Sequence, residues 1–422
     1  MLWLAVVCML LLGVVWCVHG AVACRYVRQR TRQLHAVELE PASWPRLAVF
    51  MPVRGVDPFL KDSIRSILNQ DYPDFELRII LDHATDAGAA DVAAALQEMG
   101  SSRVRVDVLR KRLPTCSLVC SALVQFVEDV EHQCDAVTFC ATDQVLPAGW
   151  LRRVARPLSD SRIVTPLGNR WYEPAEPTLG SLTRYVWNLG AVLQMWSWQV
   201  PWGGALCLRI RDIQTHGLLD LWRTSMVEDV VLIKAFANSG RQFAFDPWLM
   251  AINRESATLT QCFRFMCRQV LWAKMYHPKW RAMLAYAWIA SLADLVCIVG
   301  AIVAALRGDW LMSCLLSGAL VVYVIANCVW AWLLERSLRD LMRVRGEPVL
   351  DWTLSAWCKL PLAAALAQFI HLAAMVRAGG TRNISWRGQS YVLQQDGSVR
   401  MSEETPWTAS QQPSLNGESV EP

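Results

Sequence analysis

The stretch RLAVFMPVRGVDPFLKDSIRSILNQDYPDFELRIILD, residues Arg46 to Asp82, decides the fold. It begins with the apolar run RLAVFMPV and ends with FELRIILD (Phe75 to Asp82), and both are typical of strands buried on two faces. Between them, FLKDSIRSILNQ (Phe59 to Gln70) places its leucines and isoleucines on one face, as an amphipathic helix does. The order strand, helix, strand predicts a parallel sheet covered by helices.

The same alternation continues along the chain. AADVAAALQEM predicts a helix, RVRVDVL (Arg103 to Leu109) a strand, LVCSALVQFVEDV a helix and DAVTFCATD (Asp135 to Asp143) a fourth strand. The fold class is therefore α/β, with a Rossmann-like, mostly parallel sheet in one domain over residues 46–260. In such folds ligands bind at the carboxyl ends of the strands, and Asp82 and Asp143 both lie at predicted strand ends.

The composition limits the class of protein. Hydrophobic residues make up 54% and mean hydropathy is +0.24, too apolar for an ordinary soluble enzyme, and 21 tryptophans suit a membrane interface. The net charge of +4 is modest, and no basic block with interleaved aromatics indicates nucleic-acid binding. The 14 cysteines are scattered without metal-type spacing, which indicates reduced core or membrane residues.

Several apolar runs are long enough to cross a bilayer. The first, Leu2 to Cys24, is followed at once by arginines, which predicts an uncleaved anchor over 1–24 with its N-terminus outside and a cytosolic body. Met283 to Leu306 and Trp310 to Leu334 predict two more spans. The run Trp352 to Val376 is either a fourth span or an interfacial or re-entrant segment. We therefore expect a multi-pass membrane protein, in the inner membrane if bacterial, with two to three spans in 281–376.

The regions that flank the membrane carry their own patterns. CFRFMCRQVLWAKMYHPKW, within 261–280, mixes apolar and basic residues at helical spacing and predicts an interfacial amphipathic helix. The tail, 377–422, contains Trp386-Arg387-Gly388 and is polar beyond Gly397, which predicts disorder there. Arg387 is either a juxtamembrane charge or a ligand of a diphosphate, and the second role requires that the run before it does not cross the membrane.

Three acids are candidates for chemistry. Asp82 can accept hydrogen bonds from a uracil imide or a ribose hydroxyl, and Asp143 is a hard oxygen ligand suited to Mg²⁺ or Mn²⁺. Either could instead be an ordinary turn acid. In TSMVEDVVLIKAF, Ser225-x-x-Glu228 fits a capping box at a helix start, which explains Glu228 but not Asp229. Asp229 is therefore a candidate general base.

The combined chemistry points to sugar transfer. A diphosphate, a metal and a general base are what transfer from a nucleotide sugar to a hydroxyl requires. Gly203 and Gly204, in PWGGALCLR, either let backbone approach a bound sugar or form a plain turn before a strand.

Taken in order, the segments VFMPVRG, SILNQDYPDFELRIILDHATD, FCATDQVLPAGWL, PWGGALCLR and MVEDVVLIKAF resemble family-2 type membrane glycosyltransferases. The late spans and ISWRGQSY make ceramide-glucosyltransferase-like and hopanoid-lipid glycosyltransferases the nearest type. The resemblance covers roughly residues 46–392. It implies a GT-A catalytic domain and inverting transfer of a hexose from a UDP-sugar to a lipid hydroxyl.

By position, the resemblance implies a role for each acid. Asp82 matches the uridine-binding acid, Asp143 the last acid of the D-x-D metal motif, and Asp229 the acid of the E-D motif, the catalytic base. The family's Q/R-x-x-R-W motif falls on RQVLW, where Arg268 and Trp272 match. That motif is associated with holding the acceptor or the diphosphate.

Two positions depart from the family pattern. Ala141 replaces the first D-x-D acid, and Leu271 replaces the motif arginine. The missing arginine and the small number of spans count against one alternative, a processive polysaccharide synthase. The same departures keep a second alternative open, a non-catalytic nucleotide- or lipid-binding descendant.

Overall fold

The computed structural model describes residues 2–34, 40–100 and 102–403. Its central sheet has five strands in the order β3-β2-β1-β4-β7. The strands are β1 (Leu47–Val53), β2 (Phe75–Leu81), β3 (Val104–Val108), β4 (Ala136–Phe139), β5 (Ile163–Leu167), β6 (Arg170–Tyr172), β7 (Cys207–Arg209), β8 (Gln242–Phe245), β9 (Ala251–Asn253), β10 (Asn383–Trp386), β11 (Gln389–Leu393) and β12 (Val399–Glu403). Strands β1 to β4 are parallel and β7 is antiparallel to β4, so the predicted mostly parallel sheet is confirmed.

The helices cover the sheet and then form a separate apolar bundle. They are α1 (Leu2–Leu34), α2 (Leu60–Leu68), α3 (Ala89–Met99), α4 (Leu118–Val130), α5 (Trp150–Ala155), α6 (Leu179–Trp198), α7 (Ile210–Thr215), α8 (Leu218–Trp222), α9 (Val231–Ala235), α10 (Leu259–Tyr276), α11 (Trp280–Leu306), α12 (Trp310–Val344) and α13 (Leu354–Gly380). The predicted α/β class with added apolar helices is confirmed.

Strand β1 connects two separate cores because its side chains alternate between the faces of the sheet. Val49 and Met51 pack with α2, α3 and α5, whereas Ala48 and Phe50 pack with α4 and the segments near α7 to α9. Both faces are therefore covered, and the carboxyl edge of the sheet stays open for a ligand. At that edge β1 and β2 end together, since Val53 pairs with Leu81.

The structure corrects three details predicted from the sequence. Strand β4 ends at Phe139, so Asp143 lies in a turn beyond the strand. Helix α9 begins at Val231 and has no side-chain cap. The Ser225 hydroxyl, which the capping box would require to accept from a backbone N–H, instead donates to the Leu221 carbonyl. The predicted Ser225–Glu228 capping box is therefore wrong, and Asp229 lies in the loop before the helix.

The tail prediction is also corrected in part. Residues just beyond Gly397 form β12, which pairs with β11 in a three-stranded antiparallel sheet. At the start of α4, the Leu118 N–H donates to the hydroxyl oxygen of Tyr391 of β11 at 3.2 Å. The small sheet therefore packs on the α/β domain. Residues 404–422 lie outside the described part of the chain.

Four helices are long and apolar enough to cross a membrane by length and composition: α1, over Met9–Leu34, and α11, α12 and α13. Helix α13 forms hydrogen bonds with other segments near both of its ends. Near its start, Lys359 donates to the Pro177 carbonyl at 3.3 Å, and near its end, the Ala378 carbonyl accepts from Lys274 of α10 at 2.8 Å. Both ends of α13 thus contact the α/β domain or its neighbouring helix α10.

Candidate active site

A cavity of about 500 Å³ opens at the carboxyl edge of the sheet. The edge of the sheet, α10, the β10–β11 hairpin and the first turns of α11 enclose it. All nine candidate residues from the sequence line this cavity: Asp82, Asp143, Gly203, Gly204, Glu228, Asp229, Arg268, Trp272 and Arg387. The structure therefore brings together residues spread over some 300 positions of the chain.

Asp82 follows directly after β2 and is almost fully buried. Its Oδ2 accepts from Nη1 of Arg54 and lies 3.4 Å from Nη2 of Arg112. Its Oδ1 is buried and has no hydrogen-bond partner among the described residues. One oxygen is thus fixed by arginines, and the other is available to a donor such as an imide N–H.

Asp86, four residues later, has a structural role. Its Oδ1 accepts from the backbone N–H groups of Gly55 at 2.9 Å and Gly88 at 2.8 Å. The bond from Gly55 joins the loop after β1 to the loop after β2, and the bond from Gly88 lies within the second loop. Asp86 therefore fixes the rim from which Arg54 and Asp82 reach the cavity.

Asp143 forms a two-pronged ion pair with Arg170 of β6. The guanidinium donates to both carboxylate oxygens, at 2.9 and 3.1 Å, and stacks over the Trp202 ring at 5.4 Å. Burial alone would raise the pKa of Asp143, but Arg170 and the nearby Arg387 outweigh it and hold the pKa below its ordinary value. Asp143 is therefore ionised near neutral pH.

Asp229 is held in a different way. Its Oδ2 accepts from the Gly203 N–H at 2.9 Å and its Oδ1 from the Val230 N–H at 2.6 Å. In the described part of the chain, no ion pair joins Asp229 or Glu228 to a lysine or arginine. Glu228 and Asp229 thus lie side by side in a buried site, and neither is paired with a cation among the described residues.

Burial shifts the pKa of both carboxyls in this pair upward. Burial raises the pKa of Asp229 to about 6, against the opposing effect of its backbone hydrogen bonds. Burial and the adjacent Asp229 raise the pKa of Glu228 to about 8. Both shifts are upward because burial disfavours two adjacent negative charges, so this pair can take up a proton closer to neutral pH than ordinary carboxyls do.

The Gly203-Gly204 turn is required by close packing. A Cβ on Gly203 would collide with Oε1 of Glu228, and a Cβ on Gly204 would collide with the Trp202 ring. Gln144, next to Asp143, donates to the Gly204 carbonyl at 2.8 Å. This turn therefore connects the loop of Asp143 with the loop of Asp229.

Helix α10 places Arg268 and Trp272 on the cavity wall. Leu271 does not line the cavity. It is buried in an apolar cluster with Met226 and Met375. The residue at the position of the family's motif arginine therefore packs in the core, and Arg268 is the basic residue that α10 presents to the site.

The β10–β11 hairpin closes the cavity with Arg387 at its tip, where the backbone has a φ of +46°. Arg54 and Arg387 each donate from the side chain to the other's carbonyl, at 2.9 and 3.0 Å. Nη2 of Arg387 also lies 3.6 Å from Oδ2 of Asp57. The hairpin therefore brings a cation to the loop after β1, from which Arg54 reaches Asp82.

A divalent ion could bind at Asp143 only with help from the substrate. The described residues contain one group of three potential ligands, Asp82, His83 and Asp86, and Asp143 is not in it. Mg²⁺ and Mn²⁺ are commonly held by one or two carboxylates together with substrate phosphates and water. Asp143 fits that arrangement if a bound diphosphate supplies oxygens and draws Arg170 toward itself.

Sequence reasoning missed Arg54, Arg112 and Arg170. Arg54 stands inside the quoted segment VFMPVRG, and its place directly after β1 is a signal that could have identified it. No local pattern marks Arg170, because its partner Asp143 lies 27 residues earlier and reaches it only through tertiary packing.

The model of one protein family matches most of the chain. It is described as Glycosyl transferase family 21, and it aligns with residues 11–163 and 183–399. A search of curated proteins finds no match.

Solved structures give weaker likenesses. A Pyrobaculum calidifontis mannosyltransferase in complex with GDP-Man and Mn²⁺ is 14% identical, covers 86% of this chain and 99% of its own, and has a TM-score of 0.45. Staphylococcus aureus TarS 1–349 with UDP-GlcNAc is 14% identical, with coverages of 85% and 99% and a TM-score of 0.34. A Mycobacterium tuberculosis glucosyl-3-phosphoglycerate synthase complex with Mn²⁺, UDP-glucose and glycerol 3-phosphate is 18% identical, with coverages of 55% and 80% and a TM-score of 0.36.

Proposed function

The chain belongs to glycosyl transferase family 21, and we propose that this glycosyltransferase moves a hexose from a UDP-sugar to the hydroxyl of a membrane lipid, with inversion at the anomeric carbon. The observation that carries the proposal is the contrast inside one cavity. Asp82 and Asp143 are paired with arginines. Asp229 instead accepts from backbone N–H groups, forms no ion pair among the described residues, and has a pKa raised to about 6. We also propose that, within this family, the protein is of the ceramide-glucosyltransferase-like type.

The donor would bind at the arginine-rich part of the cavity. Oδ1 of Asp82 is placed to accept the imide N–H of uracil, and the arginines around it carry charge that suits a diphosphate. Arg387, at the hairpin tip, adds a further cation. We therefore assign Asp82 to the uridine and Arg170 and Arg387 to the diphosphate.

A divalent ion, Mg²⁺ or Mn²⁺, would be held by Asp143 together with diphosphate oxygens. Such an ion neutralises the charge that develops on a leaving diphosphate. Because Ala141 offers no ligand, we expect this ion to be weakly bound before the donor enters. An Asp143→Ala variant should therefore lose donor affinity more in Mn²⁺ than in EDTA, measured by equilibrium binding of UDP.

Asp229 would act as the general base. It takes the proton of the acceptor hydroxyl while the acceptor oxygen bonds to the anomeric carbon and the bond from that carbon to the diphosphate breaks. The products are the glycolipid, UDP and a protonated Asp229. A single displacement of this kind inverts the anomeric configuration. Burial and the adjacent Asp229 raise the pKa of Glu228, which opposes a second negative charge beside the base.

The acceptor is proposed to be a lipid because the cavity continues into the apolar bundle. Its lining includes Met283 and Ala287 of α11 and Met375 of α13. An acceptor that enters from the membrane can thus present its hydroxyl to Asp229 without leaving apolar surroundings.

The membrane arrangement is proposed on the same contacts. Both ends of α13 contact the domain side, and Pro361 interrupts the hydrogen bonding within the helix. We propose that α13 lies along the cytosolic interface with α10, so that α1, α11 and α12 span the bilayer. With the N-terminus outside, this arrangement puts the catalytic domain and the β10–β12 sheet on one side, in the cytosol.

The test is a panel of UDP-sugars offered to detergent-purified protein with lipid extract and Mn²⁺ or Mg²⁺, with release of UDP and transfer of labelled sugar to lipid both measured. We expect one sugar to give labelled lipid in step with UDP release. Tight UDP binding without release from any sugar would overturn the enzyme and favour a binding protein. A product of many sugar units would overturn single transfer.

A further inference from the structure

Helix α1 has one continuous outer face, here called the α1 stripe, that changes from apolar to basic along the helix. Its residues are spaced alternately four and three apart, the spacing that keeps side chains on one side of a helix. They are all exposed: Val7, Leu11, Val14, Val18, Ala21, Arg25, Arg28 and Arg32. The five apolar residues come first and the three arginines last, so the stripe divides at one point along the helix.

The opposite face of α1 packs on the rest of the protein. Tyr26 is fully buried in an apolar cluster with residues of α6 and α12. Arg30 donates from Nη1 to the Ser337 hydroxyl of α12 at 3.1 Å, and Gln33 donates from Nε2 to the Phe245 carbonyl at 2.8 Å. The α1 stripe therefore faces away from the described part of the chain, and a partner for it has to come from outside.

The change from apolar to basic falls at the edge of a bilayer. About 20 apolar residues before Arg25 rise about 30 Å, which is the thickness of the hydrocarbon core. On the neighbouring α12, the Arg336 guanidinium stacks over the half-exposed Trp332 ring at 5.8 Å. Trp332 lies near the level of Arg25, since Gly20 packs against the Trp330 ring. Tryptophan and arginine at one level are typical of the interface between hydrocarbon and headgroups.

The three arginines of the α1 stripe have no acidic partner among the described residues. Exposed arginines of the α/β domain do have one, at 2.6 to 2.7 Å: Arg65 with Asp62, Arg110 with Asp129 and Arg223 with Asp220. The α1 stripe therefore presents three positive charges that an anion from outside the chain can neutralise.

We propose that an anionic phospholipid binds along the α1 stripe, with its phosphate at Arg25 and Arg28 and its acyl chains against the apolar residues. Arg25 and Arg28 are three residues apart, so they are neighbours on the helix surface and can share one phosphate. Arg32 lies one turn further, about 6 Å along the axis, and still within the distance of about 8 Å over which exposed charges interact. The inference requires that α1 crosses a bilayer and does not depend on sugar transfer.

The continuity of the α1 stripe favours a lipid over a soluble phosphate. A lipid covers the apolar and the basic residues together, whereas a soluble anion leaves Val14 and Val18 uncovered. A zwitterionic headgroup adds its own cation beside the arginines, which opposes binding. The arrangement therefore favours a lipid with a net negative charge, in the leaflet on the side of the α/β domain.

The experiment measures lipid binding by the full-length protein in a nonionic detergent. Dioleoyl phosphatidylglycerol and dioleoyl phosphatidylcholine are titrated separately, and bound lipids are counted by native mass spectrometry. We expect phosphatidylglycerol to bind about tenfold more tightly, the contribution of one or two arginines beside an anionic surface. The triple variant Arg25→Gln/Arg28→Gln/Arg32→Gln should lose this preference and bind UDP as the wild type does. Arg28→Gln alone should lose part of the preference.

A matched control removes the same charge from another surface. Arg65→Gln/Arg110→Gln/Arg223→Gln should keep the preference for phosphatidylglycerol. Glycerophosphoglycerol, which has the headgroup without acyl chains, should not displace the lipid at the same concentration. The inference would be overturned by equal affinity for both lipids in the wild type or by a preference that survives the triple α1 variant. Equal loss of the preference in the control, or displacement by glycerophosphoglycerol, would also overturn it.

Discussion

Two pairs of carboxyl groups line the same cavity and are held by different groups. Asp82 and Asp143 accept hydrogen bonds from arginine guanidinium groups, whereas Asp229 accepts from backbone N–H groups and has Glu228 as its neighbour. The pKa of Asp143 is accordingly lowered, and the pKa of Asp229 is raised to about 6. Carboxylates paired with arginines suit the binding of a nucleotide and a metal, and a carboxylate that can take a proton suits catalysis.

The largest expected effect comes from removing the base. Asp229→Asn keeps the shape and the Gly203 contact but cannot accept a proton, so the transfer rate at saturating donor should fall by about 10²- to 10⁴-fold. The dissociation constant of UDP should stay within about twofold, measured by equilibrium binding in the same preparation. A transfer rate close to that of the wild type would show that Asp229 is not the general base.

The second-largest expected effect comes from removing the arginine partner of Asp143, which leaves Asp143 without an ion-pair partner, as Asp229 is. Arg170→Met removes the guanidinium and leaves Asp143 buried without its main partner, so the pKa of Asp143 should rise. We expect UDP affinity to fall by about tenfold, about the loss of one charge-assisted contact. Arg170→Lys should recover part of the affinity because it restores the charge without the two-pronged geometry. An unchanged affinity in Arg170→Met would exclude Arg170 from the donor site.

A smaller effect is the pH dependence of the wild type. Because Asp229 must be ionised to act as a base, transfer at saturating donor should fall as the pH drops through about 6 and reach roughly a tenfold loss one pH unit lower. UDP binding should change less over this range, since the pKa of Asp143 is lowered. A transfer rate that is flat from pH 8 to pH 5 would contradict the assignment.

The smallest effect concerns stability. A carboxyl whose pKa is higher in the folded than in the unfolded state binds protons preferentially in the folded state, so the free energy of unfolding falls as pH rises toward about 8. Glu228→Gln cannot ionise and should lose less thermal stability over that range than the wild type, by a few degrees in the unfolding midpoint. Parallel curves for both proteins would show that Glu228 is not buried as a neutral acid.

Much of the fold could be predicted from local patterns. Helices α3 and α4 span the residues that their apolar periodicity indicated, and strands β1 and β2 agree to within one residue. The predicted β4 extends four residues too far at its carboxyl end, because apolar character continues past Phe139 while tertiary hydrogen bonds turn the chain. One such bond joins the Thr142 hydroxyl to Asp57 at 3.0 Å.

The acidic residues of the site could be predicted from the sequence, but their arginine partners could not. Asp82, Asp143 and Asp229 were identified from their place after apolar runs and from family resemblance. The pairing of Arg170 with Asp143 and the packing of Leu271 depend on contacts between segments that are distant in the sequence, so no local spacing of residues predicts them. A second cavity of about 320 Å³ within the apolar helices could not be predicted for the same reason, because each helix contributes few polar residues to its wall.

The most direct test of the contrast between the two carboxyl pairs is one parallel measurement on Asp143→Asn and Asp229→Asn. For each variant, the dissociation constant of UDP and the single-turnover transfer rate at saturating UDP-sugar are determined. Asp143→Asn should mainly weaken UDP binding, and Asp229→Asn should mainly slow transfer. Equal losses of both quantities in the two variants would contradict the division between a donor-binding acid and a catalytic base.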